Sequence, residues 1–273
     1  MPRHTASPDP KSVVQSLAKG FRVLEAFSAS EPELTLAETA RRAGLDNATT
    51  FRLLNTLVML GYVARVDSTR RFRLSMKTLD LGFNAIARTD LRDIARPVLR
   101  SLVGNVNEAA SLGVIDGGDV VYLERVQAGL ARLGVDVRIG SRVPAYCSAI
   151  GHALLAWLPT GEQRRILDAQ PRIRLTPSTP VTMTEILRRL AKARRNGWVL
   201  SDQEVAPGLR VLAAPVLDRD GVPAAAVSVA APSLRMPLQQ FQKLATAPLL
   251  EAARMIARAL EARGSIQLTR AAA

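Results

Sequence analysis

The sequence predicts an α+β chain of two domains. An N-terminal winged helix-turn-helix is followed by a linker helix and a larger C-terminal domain, in which helices pack on an antiparallel sheet. Three observations predict this. Residues 34–74, LTLAETARRAGLDNATTFRLLNTLVMLGYVARVDSTRRFRL, hold a short helix, a glycine-containing turn, a second helix and a hairpin with a basic loop, a unit shaped to lie on duplex DNA. A helical pattern runs from Met76 to Asn105 with Pro97 inside it. Beyond it come consecutive strand patterns with short connections, which favour antiparallel pairing. At 273 residues the chain is long for one core and comfortable for two.

In the N-terminal unit, Leu17, Phe21, Leu24 and Phe27 make an apolar stripe on a first helix, which Pro32 ends. Thr35 caps a second helix, with Glu38 three residues on completing a capping box. Leu36, Ala40 and Ala43 give that helix a narrow face of mostly small residues, and Gly44 supplies the left-handed residue that stops it. Asp46 caps a third helix, Asp46–Leu60. At about 100° per residue, Phe51, Leu54, Leu57 and Val58 fall on its inner side with Thr50 and Leu53 at the edges. Thr49, Arg52, Asn55 and Thr56 fall opposite, and these are residue types that hydrogen-bond base edges and phosphates. A solvated helix face is the commoner reason for such a pattern, but a third helix followed by a wing favours recognition. After Gly61 the period becomes two, giving strands Val63–Val66 and Arg71–Leu74 around a tip where Arg70 and Arg71 suit phosphate or minor-groove contact. Arg65 and Arg73 either assist or are only solvent-facing strand residues.

The expected boundaries are a lead at 1–12, the DNA-binding unit at 13–75, a linker helix at 76–96, the second domain at 97–264 and a tail at 265–273. Pro97 predicts a kink or a fresh helix start, since an interior proline costs ~3 kcal/mol. In the second domain, Ala110–Val114 and Val120–Val126 read as strands around the turn Asp116-Gly117-Gly118-Asp119. Further strands are expected at Arg132–Ile139, Gly197–Glu204, Val211–Leu217 and Val222–Ala230. Ser148 caps a helix from Ala149 to Trp157, and a last helix presents Leu249, Ala253, Ile256, Ala257 and Leu260 on one face.

Composition narrows the classes. The net charge of +13 favours a polyanionic partner, but residues 1–75 carry only +4 of it. A single cysteine, Cys147, rules out an intramolecular disulfide and fits a reducing compartment. No apolar run approaches the ~20 residues of a membrane helix, and the N-terminus lacks the apolar stretch of a secretory signal, so a cytoplasmic location is expected. Only two histidines exist, His4 and His152. Cys147, His152 and Asp202 can be drawn as a nucleophile triad of a Cys-dependent hydrolase. Five residues across a helix start separate Cys147 from His152, however, and a core cysteine with a helix-surface histidine is the simpler account. No Cys/His cluster has metal-ligand spacing and no glycine-rich phosphate loop appears, so neither metal nor cofactor is expected.

The blocks QSLAKGFRVLEAF (15–27), FRLSMKTLDLG (72–82), RIGSRVPAYCSAIGHALLAWLP (138–159) and LSDQEVAPGLRVLAAPVLDRDGVPAAAVSVAAPS (200–233), with the helix-turn-helix, resemble the IclR family of bacterial transcription regulators. The resemblance implies a C-terminal effector-binding domain of GAF-like or profilin-like fold, dimers formed through the DNA-binding domain, pairing of dimers into tetramers and roughly palindromic double-stranded operators. The family's helix start carries proline and a basic residue where this chain has Asp46 and Asn47, and its Ser-Thr pair is Ala48-Thr49 here. The candidate DNA-contacting set is Thr35, Asn47, Ala48, Thr49, Arg52, Asn55, Thr56, Arg70 and Arg71.

Ser148, Ala149 and Ile150 match the family segment that lines the effector pocket, and Asp202, Val211 and Ser228 match other lining positions. Val135 and Val143 are expected as pocket walls and Tyr146 as a ring partner, with the helix start after Ser148 drawing a carboxylate. Arg210, in the GLR motif, is divided between a structural and a ligand role. PAYCSAIG resembles the pattern of relatives that control aromatic-acid catabolism, so a small aromatic or dicarboxylic acid effector is expected. The competing reading is a second domain that only assembles the protein and binds no ligand.

Overall fold

The computed structural model describes residues 13–66, 69–81, 91–128 and 137–262. The chain divides into two compact units, Met1–Ala87 and Arg88–Ala273, and has the α+β organisation that the sequence predicts.

The first unit contains α1 (Gln15–Glu25), β1 (Glu33–Thr35), α2 (Leu36–Ala43), α3 (Asn47–Met59), β2 (Val63–Val66) and β3 (Arg71–Leu74). Its small sheet has the order β1-β3-β2, entirely antiparallel. The capping box forms: Glu38 N–H donates to the Thr35 hydroxyl at 3.3 Å, and Thr35 N–H donates to the Glu38 carboxylate at 2.8 Å. Gly44 ends α2 in the left-handed region at φ +63°. The Asp46 carboxylate accepts from Thr49 N–H at 2.8 Å and opens α3. Val23, Leu34, Ala43, Leu54, Leu57, Val63 and Phe72 fill the interior.

Two helix faces differ from the expectation. Of the α1 stripe only Phe27 is buried, while Leu17 is 61% and Phe21 50% exposed; Val23 and Ala26 point inward instead. On α3, Phe51 is 47% exposed and buried Thr50 takes the interior place, its hydroxyl donating to Asp46 O at 2.8 Å. The capped first turn rotates α3 so that Thr50, Leu54 and Leu57 face the core. β1 was missed in the sequence because three residues are too short to show a period.

The second unit runs α4 (Leu91–Val106), β4 (Ala109–Asp116), β5 (Asp119–Val126), β6 (Arg142–Pro144), α5 (Ala149–Leu155), α6 (Thr160–Leu167), α7 (Met183–Asn196), β7 (Val199–Asp202), β8 (Leu209–Leu217), β9 (Pro223–Pro232) and α8 (Leu238–Ala262). The six strands form one antiparallel sheet of order β6-β5-β4-β9-β8-β7. Pro97 neither breaks nor restarts α4, a single helix from Leu91 whose Leu91, Ile94 and Ala95 lie in this unit's core. The expected linker span therefore overreaches into the second domain. Pro97 and Asp93 are exposed, so the carbonyl that loses its partner faces water. The strand expected at Arg132–Ile139 falls largely outside the described residues, and the edge strand is Arg142–Pro144, paired with β5. Helices α6 and α7 were not anticipated.

Alternation along the strands gives the sheet two faces. On one, Leu112, Leu212, Val216, Val227 and Val229 pack against α4 and α8; on the other, Val120, Ala213 and Ala226 pack against α5, α6 and α7. Among the described residues no helix is long and apolar enough to cross a membrane.

Candidate nucleic-acid interface and effector site

The exposed arc of α3 has two flanks. Asn47, Ala48, Phe51 and Asn55 share one, on which Arg65 of β2 reaches across to donate to the Asn55 side-chain oxygen at 2.6 Å. That flank therefore faces the wing. Thr49 and Thr56 lie on the other, bordering a groove of about 760 Å³ with Leu17, Phe21, Leu24, Leu60 and Leu81. Arg52 stands between the flanks, exposed, and its carbonyl accepts from the Thr56 hydroxyl at 3.0 Å.

Not all expected DNA-contacting residues are available for contact. Thr35 is occupied by the capping box. Arg71 turns back from the wing, donating to Glu33 O at 2.9 Å and pairing with Glu38 at 3.4 Å, so it ties β3 to the start of α2. Arg70, Arg65 and Arg73 stay exposed on the hairpin.

In the second unit the inner sheet face changes character toward one end. Near α5 it is tightly apolar: Ile150 sits over Gly113, whose added Cβ would lie 3.2 Å from the Ile150 side chain. Further along, Ser111 and Ser228 are cross-strand neighbours on β4 and β9, 1% and 2% exposed. Arg125 of β5 donates to the Ser111 hydroxyl at 2.9 Å. Tyr122 lies on the same strand, and burial pushes its phenol above the usual range. Val211 lies on β8 across from Ala230. Of the residues on this stretch of the face, the sequence singles out Ser228 and Val211 as candidates but not Ser111, Tyr122 or Arg125, which lie on strands where hydroxyl and charge read only as alternation.

Other predicted pocket residues are committed elsewhere. Tyr146 is buried, its O–H donating to Ile173 O and accepting from Ile173 N–H at 3.0 Å, so it pins a loop rather than presenting its ring. The Ser148 hydroxyl accepts from Gly151 N–H at 3.2 Å, and α5, with seven residues, offers little dipole. Ala149 and Ile150 are buried in the core. Val143 is half-buried on β6, and Val135 lies outside the described residues. Asp202 accepts from Arg210 Nε at 2.8 Å, and the same guanidinium donates to Ser233 O and Met236 O. Arg210 is thus a structural clamp between strand and loop.

The triad alternative is not assembled. Cys147 is fully buried and burial pushes its thiol up to about 12, which suppresses the thiolate. His152 is core rather than helix surface, at 1% exposure. Its Nε2–H donates to Tyr146 O at 2.6 Å, and burial lowers its pKa to about 4. Asp202 serves Arg210. Among the described residues no group of three His, Cys, Asp or Glu side chains is placed to hold a metal.

Residues 16–67 match the IclR helix-turn-helix domain, and residues 83–258 match the family described as bacterial transcriptional regulator IclR C-terminal. The HTH-type transcriptional regulator KdgR of Escherichia coli is 34% identical over 89% of this chain and 91% of its own. The Pca regulon regulatory protein of Pseudomonas putida is 31% identical over 92% and 84%. Among solved structures, an IclR homolog from Microbacterium hydrocarbonoxydans complexed with 4-hydroxybenzoate superposes with a TM-score of 0.78 at 28% identity, covering 90% of this chain and 99% of that one. Two domain models that together span most of the chain, and relatives aligned across nearly its full length, place it: the chain belongs to the IclR family of transcriptional regulators.

Proposed function

We propose that this protein is a ligand-responsive regulator that reads a roughly palindromic double-stranded operator as a homodimer and releases or reshapes that contact when a small carboxylate binds its second domain. It acts in the cytoplasm, where the chromosome is. The α3 arc of Asn47, Ala48, Arg52 and Asn55 enters the major groove and Arg70 at the wing meets phosphate. A second copy covers the groove beside α1, removing Leu17 and Phe21 from water.

The observation that carries the effector half is the cluster of Ser111, Ser228 and Arg125 on the buried sheet face toward α5. Convergent polar groups in a mainly apolar surround are what a small-acid site requires, and Arg125 with two hydroxyls suits a carboxylate. An aromatic acid is the effector class favoured. The PAYCSAIG segment, the 4-hydroxybenzoate held by one homolog and the name of the Pca regulon relative support it. The ligand then shifts the population of dimer geometries that fit the operator.

Thermal unfolding of the full-length protein with 4-hydroxybenzoate and with its amide at millimolar concentration tests this. The acid is expected to raise the melting temperature and the amide to leave it unchanged. Equal shifts, or none across a panel of small aromatic and aliphatic acids, would leave the second domain as an assembly module.

A further inference from the structure

We propose that Phe51 reads sequence: its ring meets the C5 methyl of a thymine in the major groove. The inference rests on the reading of α3 as the recognition helix and adds a residue to it. Phe51 is the aromatic that the apolar pattern assigns to the core, yet it is 47% exposed and takes no part in the cluster of Leu54, Leu57 and Val23. Thr50 fills the interior at that turn. Left exposed on the first half of a helix that faces DNA, the ring is free to make an apolar contact there.

Two coverings are possible in principle, and geometry separates them. The groove that a second copy would fill lies on the other flank of α3, bordered by Thr49, Leu53, Thr56 and Leu60 with Arg52 at its rim, and without Phe51. Phe51 shares its flank with Asn47, Ala48 and Asn55, the side to which Arg65 reaches from the hairpin. It lies in the first half of α3, and the N-terminal residues of a recognition helix are those that reach base edges. A phenyl ring makes no base hydrogen bond, and the apolar feature of the major groove is the thymine methyl. Ala48, one turn earlier on the same side, adds a second small apolar surface. Arg52 and Asn55 then read donors and acceptors beside that methyl.

The experiment starts from duplexes selected by the full-length protein from a randomised library. In the enriched sequence each thymine is replaced singly by deoxyuracil, which removes the methyl and leaves every hydrogen-bonding group. The wild type is expected to bind about fourfold more weakly at one thymine per half-site, the worth of roughly one buried methyl. Phe51→Ala is expected to bind the two duplexes equally while retaining the wild-type melting temperature. Phe51→Leu, which keeps an apolar side chain, supplies the same comparison if the alanine variant melts early, with a penalty below the wild type's. A wild type indifferent to every replacement, or a penalty that survives undiminished in both variants, overturns the inference and leaves the recognition helix standing. A library from which the wild type enriches nothing overturns both.

Discussion

The two faces of the six-stranded sheet are built on one backbone with different chemistry. Against α4 and α8 the sheet presents Leu112, Leu212, Ala214, Val216, Val227 and Val229, all fully buried, with Glu124 at the edge held by Arg92 at 2.8 Å. Against α5, α6 and α7 the same strands present Val120, Ala213 and Ala226, and also Ser111, Ser201 and Ser228, with His152 and Glu204 close by in the layer above. Every buried polar group there needs a partner or carries a desolvation cost of ~1–3 kcal/mol. The Thr176 and Thr179 hydroxyls accordingly donate to Gln203 O and Glu204 O at 2.6 Å, and Arg189 pairs with the Glu204 carboxylate. One face supplies stability through apolar packing alone; the other gives up part of that gain to hold buried hydroxyls and charges.

The largest break in this comparison comes from the polar face's tightest contact. A Cβ at Gly151 would stand 2.2 Å from the carbonyl oxygen of Ala145, a backbone atom that cannot swing aside. Gly151→Ala is expected to cost about 3 kcal/mol or more and to leave little folded protein at 37 °C. Thermal unfolding that stays within 1 °C of the wild type would mean that the loop before α5 is slack. On the opposite face, Leu212→Ala is expected to cost about 3 kcal/mol, as a cavity among fully buried neighbours does. The ligand-induced rise in melting temperature should persist unchanged in this variant. A lost ligand response there would show that the two faces are energetically one.

A third test uses the pH dependence of the buried histidine. His152 is held neutral, with a folded pKa of about 4 against an ordinary 6.5. Desolvation is the main cause, the hydrogen bond to Tyr146 O opposes it, and Arg189 adds repulsion. A depressed folded pKa contributes stability that is present above the unfolded value. It is lost as pH falls from about 6.5 toward 4, when the unfolded chain takes up the proton first. Denaturant titrations should therefore show the wild type losing up to about 3 kcal/mol across that window. His152→Gln, which keeps a donor for Tyr146 O, should lose markedly less; identical pH slopes would place the loss on groups other than this histidine.

What could be read from the sequence follows the same division. Motifs that act through the backbone were legible: the Thr35/Glu38 box, Gly44 at the end of α2, and the Asp116–Asp119 turn, where Gly117 adopts φ +61°. Strands with an apolar face were placed to within a few residues. Rotational setting was not legible, since a two-sided helix such as α3 admits either Phe51 or Thr50 inward and only tertiary packing chooses. The same holds for the site. Ser228 and Val211 were recognisable from a motif, whereas Ser111, Tyr122 and Arg125 join them only through cross-strand register, in which a bulge between Leu112 and Gly113 resets which β5 side chains share the face. Tyr146 and Asp202 look like pocket residues until their partners, Ile173 and Arg210, are seen.

The smallest change in stability is expected from the substitution with the most specific consequence. Ser228 lies between Ser111 on one side and Ala213 on the other and is 2% exposed. Ser228→Ala removes one oxygen, adds no volume and leaves a neighbour, Ala213, of the same size, so the fold should lose no more than about 1 kcal/mol. A hydrogen bond to a carboxylate is worth ~1.5–3 kcal/mol, so ligand affinity should fall about tenfold to a hundredfold. At an acid concentration that gives the wild type a clear rise in melting temperature, the variant should show almost none, while its binding to DNA is retained. An undiminished ligand response in Ser228→Ala would remove the hydroxyl end of this face from the effector site, and the polar residues there would need another explanation than recognition.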